Sequence, residues 1–272
     1  MQTVVAVDDK LFFEEQEISE TDLNIDEPDE DSGLGISNET LSPASALSHD
    51  LNYQSLSTAF AQKGIVCSGF KPLGDPDKSL NAIVQTSKNA DITILDWQMD
   101  EQNSGGTLAT NAINELAKCD IDEGGRLRLI IVYTAETIQD VAEQLSTSLK
   151  GSFSPKQSNE TVTFTDKGLS HWKINVISKD KDIEDLPSII IDSFTQLTAG
   201  LLSNAALSTI ADVRDKTHNI LHKFNKSLDP AYLSHVLGLI SSPDMREQAH
   251  EVAFDYAIDL LSEELKSELQ TS

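Results

Sequence analysis

Three short apolar segments and a fourth that alternates apolar and polar residues, each followed by polar residues, set the pattern of this chain. They lie at residues 4–7, 92–95, 129–133 and 173–178, and β-branched residues are frequent in them. Segments of this length and composition are typical of strands buried in a parallel sheet. Between them, apolar residues recur three and four positions apart, which predicts amphipathic helices. The alternation of the two patterns predicts an α/β domain.

The polar residues that follow these segments are candidates for one shared site. If the strands are parallel, their carboxyl ends meet at one edge of the sheet, where ligands bind in open α/β folds. Clustered carboxylates suit Mg²⁺, and a carboxylate can also accept a phosphoryl group as a nucleophile. The alternative is that each is an ordinary polar residue at a strand end. The residues concerned are Asp8, Asp9, Asp96, Thr134 and Lys179.

The order of these residues resembles the receiver domain of two-component response regulators. The resemblance rests on the stretches VVAVDD, LDWQM and VYTAE and on the strand that ends at Lys179, over roughly residues 1–200. It implies a doubly wound, flavodoxin-like sheet of five parallel strands in the order 2-1-3-4-5. It also implies a Mg²⁺ site, whose ligands would be Asp8, Asp9, Asp96 and the backbone carbonyl of Gln98.

The same resemblance assigns the phosphoryl chemistry. Asp96 would be the phosphoacceptor, and Thr134 and Lys179 would contact the phosphoryl group. Three positions depart from the usual pattern of the family, and they bear on conventional switching more than on phosphorylation. Asp100 and Asp180 stand where a proline is usual, and Val176 stands where an aromatic switch residue is usual.

Two insertions are expected within the domain. The first, at about residues 11–48, is strongly acidic and contains no Lys or Arg, which favours a solvated, mobile segment. The alternative is a lid or docking segment beside the site, since long loops are often functional. The second, at about residues 151–171, carries alternating residues and a turn that predict a β-hairpin leading into the fifth strand. A hairpin there implies an altered output surface.

Residues 201–272 are expected to form a separate helical extension, either a dimerisation or an output module. Apolar residues recur there at helical spacing, and Asp229-Pro230 and Ser242-Pro243 resemble helix starts. His218 and His222 would share one helix face, as a metal pair or a phosphoacceptor helix would. The alternative is a pair of surface histidines, and no phosphotransfer site is assigned to them.

Composition narrows the classes of function. The formal charge of −25 and the pI near 4.4 argue against a nucleic-acid partner. Cys67 and Cys119 lack the spacing of a metal site. No signal peptide and no membrane-spanning run is evident in the sequence, so a cytoplasmic protein without membrane association is expected.

The sequence therefore predicts a signalling receiver that accepts a phosphoryl group on Asp96 from a histidine kinase or a phosphotransfer protein. Output would pass to a protein partner or through self-association, and any enzymatic activity would be limited to self-dephosphorylation. One alternative is a degenerate receiver-fold scaffold that does not switch. Another is a metal-dependent phosphohydrolase, which is disfavoured because Gln98 stands where a second acid would be needed.

Overall fold

A computed structural model describes residues 2–12, 51–99, 105–239 and 249–270. By its internal packing the chain divides into two compact units, Met1–Leu197 and Thr198–Ser272. Apart from Leu11 and Phe12, the predicted acidic insertion lies outside the described residues, as do Asp100 and the predicted helix start at Ser242-Pro243.

The first unit alternates strands and helices for most of its length. Its elements are β1 (Thr3–Val7), α1 (Tyr53–Ala61), β2 (Val66–Phe70), α2 (Pro76–Asn89), β3 (Ile92–Asp96), α3 (Thr107–Asp122), β4 (Arg128–Thr134), α4 (Ile138–Leu149), β5 (Pro155–Ser158), β6 (Thr161–Phe164), β7 (Trp172–Ser178) and α5 (Leu186–Leu197).

The strands form one mixed sheet of seven strands in the order β2-β1-β3-β4-β7-β6-β5. The first five strands in this order, β2, β1, β3, β4 and β7, are parallel to their neighbours. The strand β6 pairs antiparallel with both β7 and β5. The predicted α/β class is confirmed, but the prediction of five strands is wrong because the inserted hairpin joins the sheet. The pairing of β6 with β7 follows the alternation in the sequence. β5 was not predicted, because Pro-Lys-Gln-Ser lacks apolar alternation.

Helices cover both faces of the sheet. In β1, Val5 and Val7 belong to one core cluster with α2, α3 and α4, while Val4 and Ala6 belong to a second cluster with α1 and α5. Burial on both faces explains why the central parallel strands β1, β3 and β4 are mostly apolar. The same packing fixes the position of each strand in the sheet, and therefore the position of the residues at its carboxyl end.

A buried ion pair lies at the amino-terminal edge of the sheet. Arg128 donates to both carboxylate oxygens of Asp120 at 2.7 and 2.8 Å, and to the carbonyl of Ser87 at 2.9 Å. The indole of Trp172 donates to the same carboxylate at 3.0 Å. These bonds join α2, α3, β4 and β7 at the edge opposite the candidate site.

The second unit consists of α6 (Leu201–Lys223), α7 (Asp229–Leu239) and α8 (Ala249–Gln270), with a 3-10 turn at Lys226–Leu228. Lys223 pairs with Glu264 and Glu268, which joins α6 to α8. His235 of α7 stacks on Tyr256 of α8 at 4.3 Å between ring centroids. Among the described helices of the chain, none is long and apolar enough to cross a lipid bilayer.

Candidate functional site

Three carboxylates meet at the carboxyl ends of β1 and β3. The two strands are adjacent and parallel, with Val7 opposite Leu95, so the residues that follow Val7 lie beside the end of β3. Each carboxylate offers an oxygen within 4.8 Å of the others, and Asp8 and Asp96 are buried. The structure thus brings together Asp8, Asp9 and Asp96.

Lys179 reaches this cluster from the end of β7. Its ammonium lies 2.9 Å from Asp8 Oδ2 and 3.1 Å from Asp96 Oδ1, and its side chain is 6% exposed. The same ammonium lies 5.8 Å from the centroid of the Tyr133 ring, within range of a cation–π contact. The backbone N–H of Lys179 donates to the carbonyl of Thr134 at 2.7 Å, which holds the lysine beside β4.

Burial and mutual repulsion control the charge of the cluster. Burial, reinforced by the Asp8 carboxylate, raises the pKa of Asp96 to about 6 although Lys179 opposes the shift. Burial and Asp8 also raise the pKa of Asp9. Burial acts to lower the pKa of Lys179, but Asp96 and Asp8 outweigh it and raise that pKa. One ammonium therefore faces an excess of carboxylate charge.

The hydrogen bonding of the cluster leaves an oxygen for a further cation. Asp8 Oδ1 accepts from the backbone N–H of Lys10 at 2.7 Å, and Asp8 Oδ2 accepts from Lys179. Asp9 Oδ1 is buried and has no hydrogen-bond partner among the described residues. A buried, unsatisfied oxygen in a group of carboxylates fits a hard divalent cation such as Mg²⁺.

A cleft of about 80 Å³ opens beside Asp96. Pockets for whole small molecules are typically 300 Å³ or more, so this one suits a small anion. Thr134 lies in the cleft, and its hydroxyl accepts from the backbone N–H of Glu136 at 3.0 Å. The lining residues are Lys10, Asp96, Gln98, Thr134, Ala135 and Lys179.

A family model described as the response receiver domain matches residues 1–184. The chain belongs to the response receiver domain family. The match runs from β1 past Lys179 and so includes every predicted site residue. Receiver domains act in phosphorylation-based signalling with a kinase or phosphotransfer partner, and they generally bind Mg²⁺ through an acidic cluster like this one. No curated protein and no solved structure matches the chain.

Two residues of this receiver's site were not anticipated from its sequence. Lys10 lines the cleft, and the carboxylate of Glu136 accepts from the side-chain amide of Gln98 at 2.5 Å. Lys10 directly follows Asp9 and Glu136 follows Thr134 by two positions, so their places near strand ends were the available signal. The first polar residues after each strand were the predicted site, and both of these residues lie one or two positions further into the loop.

The receiver's β3–α3 connection is fixed behind the site by Trp97. The indole is buried and packs against Gly106, whose φ is +69°. A Cβ at Gly106 would lie 2.3 Å from the ring, so a side chain there would displace the residue that follows Asp96. Glycine is therefore required both by the left-handed backbone and by the close approach of the ring.

The histidine pair of α6 does not join such a cluster. His218 and His222 are both exposed. Within the described ranges, the one group of three or more candidate metal-ligating side chains with close mutual spacing is the carboxylate group of Asp8, Asp9 and Asp96.

Proposed function

We propose that this receiver accepts a phosphoryl group on Asp96 from a histidine kinase or a phosphotransfer protein in the cytoplasm. The observation that carries the proposal is the position of Asp96, which is buried beside Asp8 and Asp9 and paired with Lys179 at 3.1 Å. With its pKa near 6, Asp96 is mostly ionised at neutral pH and can act as a nucleophile.

In the proposed transfer, an Asp96 carboxylate oxygen attacks the phosphorus of the partner's phosphohistidine. The new P–O bond forms as the P–N bond breaks, and the imidazole leaves. Asp8, Asp9, Asp96 and the carbonyl of Gln98 would hold Mg²⁺. When bound, that ion supplies positive charge that offsets the charge of the phosphoryl oxygens.

Lys179 and Thr134 have the groups that the product requires. Lys179 already contacts Asp96, so its ammonium can donate to a phosphoryl oxygen after transfer. The Thr134 hydroxyl accepts a bond from Glu136 and keeps its own hydrogen available for donation. Movement of these two side chains toward the new oxygens would shift a two-state equilibrium, with output through α6–α8 or a bound protein.

One observation favours the second candidate, a receiver-fold scaffold that does not switch. Val176, at the position of the usual aromatic switch residue, is a buried aliphatic residue of the core. A buried valine has no ring to rotate between outward and inward positions. Any switching in this receiver would therefore act through residues other than the one at position 176.

Treatment with acetyl phosphate in the presence of Mg²⁺ tests the proposal on the full chain. We expect intact-mass analysis to show one phosphoryl group in the wild type and none in Asp96→Ala. The matched control is Asp122→Ala, which alters an exposed carboxylate at the end of α3 and should be modified like the wild type. Metal binding without modification of the wild type would refute phosphorylation and support the scaffold.

A further inference from the structure

The exposed face of α8 carries two parallel rows of side chains with different chemistry. The apolar row consists of Phe254, Ile258 and Leu261, which are 61%, 45% and 46% exposed. Residues three and four positions apart lie along one face of a helix, so these side chains form a continuous stripe. A row of exposed carboxylates runs beside it and consists of Glu251, Asp255 and Asp259.

The acidic row is available to a partner. The lysines that pair with α8 within the described ranges, Lys216 and Lys223, contact Glu264 and Glu268 and do not contact this row. The whole of α8 contains six acidic residues and one lysine. The row therefore presents uncompensated negative charge next to an apolar stripe.

The second unit also has a thin core. Among its described residues, Ile220 and Val236 are the hydrophobic side chains that are buried, while leucines of α6 and α7 are exposed as well. A domain of this size is marginally stable even when it buries about 60% of its surface. Exposed apolar patches on such a unit mark sites of protein contact.

We propose that this face of α8 binds an amphipathic helix of a partner protein, with the apolar stripe of the partner flanked by Lys or Arg. The proposal rests on the proposed function and specifies the partner for its output. Charge complementarity selects this occupant. A second copy of α8 carries the same acidic row and supplies no row of cations to pair with it, and an anionic membrane would be repelled by the row. In this mode of binding, an amphipathic helix places its apolar face against an apolar surface of the other protein.

A labelled synthetic helix of leucine and lysine, equal in length to α8, is the probe. Its binding to the full chain is measured by fluorescence anisotropy, with a leucine–glutamate helix of the same pattern as the comparison. We expect the leucine–lysine helix to bind, the leucine–glutamate helix to fail, and binding to weaken as salt is raised.

Variants locate the binding surface. Asp255→Asn combined with Asp259→Asn should weaken binding about threefold to tenfold, in keeping with the loss of exposed ion pairs. Phe254→Ser should also weaken it, with unchanged helix content by circular dichroism showing that the unit still folds. The matched control is Asp140→Asn combined with Glu143→Gln on α4, which removes two exposed carboxylates elsewhere and should leave affinity unchanged.

Several results would overturn the proposal. Equal loss of affinity in the α4 control would show non-specific attraction to the acidic chain. A dimer in sedimentation that Phe254→Ser dissociates would assign the face to a second copy, and binding to phosphatidylserine vesicles in place of the peptide would assign it to a membrane. Because peptide binding is measured without phosphorylation and repeated in Asp96→Asn, failure of the docking face is distinguishable from failure of the phosphoacceptor.

Discussion

Asp96 stores unfavourable electrostatic energy in the folded state. Its carboxylate is buried near Asp8 and Asp9, and the Lys179 ammonium offsets only part of that charge. A pKa raised from 3.8 to about 6 means that folding makes ionisation of this group harder. Phosphorylation chemistry requires the ionised form, so the residue that serves the site also destabilises the fold.

In the absence of Mg²⁺, we expect Asp96→Asn to raise the free energy of unfolding at pH 7. One pKa unit corresponds to about 1.4 kcal/mol, so the gain should be roughly 1–3 kcal/mol after allowing for the lost contact with Lys179. Urea denaturation of both proteins in a chelator measures it. The control, Asp122→Asn, should change the stability by less than about 0.5 kcal/mol.

The pH dependence of this gain has a definite sign. Because the folded pKa lies above the unfolded value, the folded protein binds the proton more tightly between pH 3.8 and about 6, so the wild type loses stability as pH rises through that window. The advantage of Asp96→Asn should therefore be small near pH 4 and full by pH 7. An advantage that does not change with pH would contradict this account.

Lys10 is expected to speed phosphorylation by small anionic donors. It is exposed and lines the cleft beside Asp96, where a cation attracts an incoming phosphate. Lys10→Gln should slow modification by acetyl phosphate about twofold to tenfold at low ionic strength, with less effect at high salt because exposed charges are screened. Lys63→Gln, at an exposed position after α1, is the control. Equal rates of modification for the two variants would show that Lys10 does not contribute to phosphorylation at Asp96.

At the scale of elements, the Arg128–Asp120 pair joins β4 to α3 at the edge opposite the site, and Trp172 of β7 donates to the same carboxylate. We expect Arg128→Met to destabilise the protein by about 3–5 kcal/mol, since Asp120 would remain buried without its partner. Urea denaturation measures the loss. Lys118→Met breaks the exposed pair with Glu115 on the same helix and should cost less than about 1 kcal/mol.

Arg128→Met also tests whether the stability of the fold and the modification of Asp96 are independent. The folded fraction of Arg128→Met should still be modified at Asp96, because the ion pair and the carboxylates lie at opposite edges of the sheet. Loss of modification in protein that remains folded would show that the two edges are coupled.

The strands were predictable where burial on both faces forces an uninterrupted apolar sequence. β1, β3 and β4 satisfy that condition over most of their length, whereas β7 carries Lys173 and Asn175. The ends of the first three strands place Asp8, Asp96 and Thr134 at one edge of the sheet. β5 was not predictable, because its position depends on pairing with β6 and its side chains are mostly exposed. Edge strands are specified by backbone pairing more than by apolar pattern.

The candidate site also has a part that the sequence predicts and a part that it does not. The order of the strands and the positions of their ends suffice to bring the carboxylates together, since the backbone of each strand fixes the point from which the carboxylate side chain extends. The contact of Gln98 with Glu136, and the position of Lys10 at the cleft, depend on side-chain paths beyond the strands. Sequence spacing does not determine those paths, because exposed side chains choose among several rotamers.

At the scale of the whole molecule, the acidic stretch after β1 is joined to the fold at two neighbouring points. Phe12 donates its backbone N–H to the carbonyl of Leu51 at 3.1 Å, and its carbonyl accepts from Tyr53 at 2.9 Å. Leu11 is buried in the core formed with α1 and α5. Phe12 and Leu51, the described residues on either side of positions 13–50, therefore lie side by side.

Replacing residues 14–49 with a short Gly/Ser linker should leave the first unit folded. Loop closure grows more costly by about 0.6 kcal/mol per doubling of length, so a roughly sixfold shorter connection should stabilise the unit by about 1–2 kcal/mol. Thermal unfolding measures the change, and a linker of the original length is the control. Unfolding of both linker proteins would show that residues 14–49 contribute to the core, whereas unfolding of the shortened protein alone would show that the connection had become too short.

The closure at Phe12 has a consequence for how this chain could evolve. A segment whose two ends are held side by side by the main chain can lengthen, shorten or change composition without a matching change in the strands. Selection could therefore act on that segment almost independently of the carboxylates of the candidate site, although Asp9 lies only three residues before Phe12. We expect related chains to differ most in length between the positions of Phe12 and Leu51, and a family alignment would show whether they do.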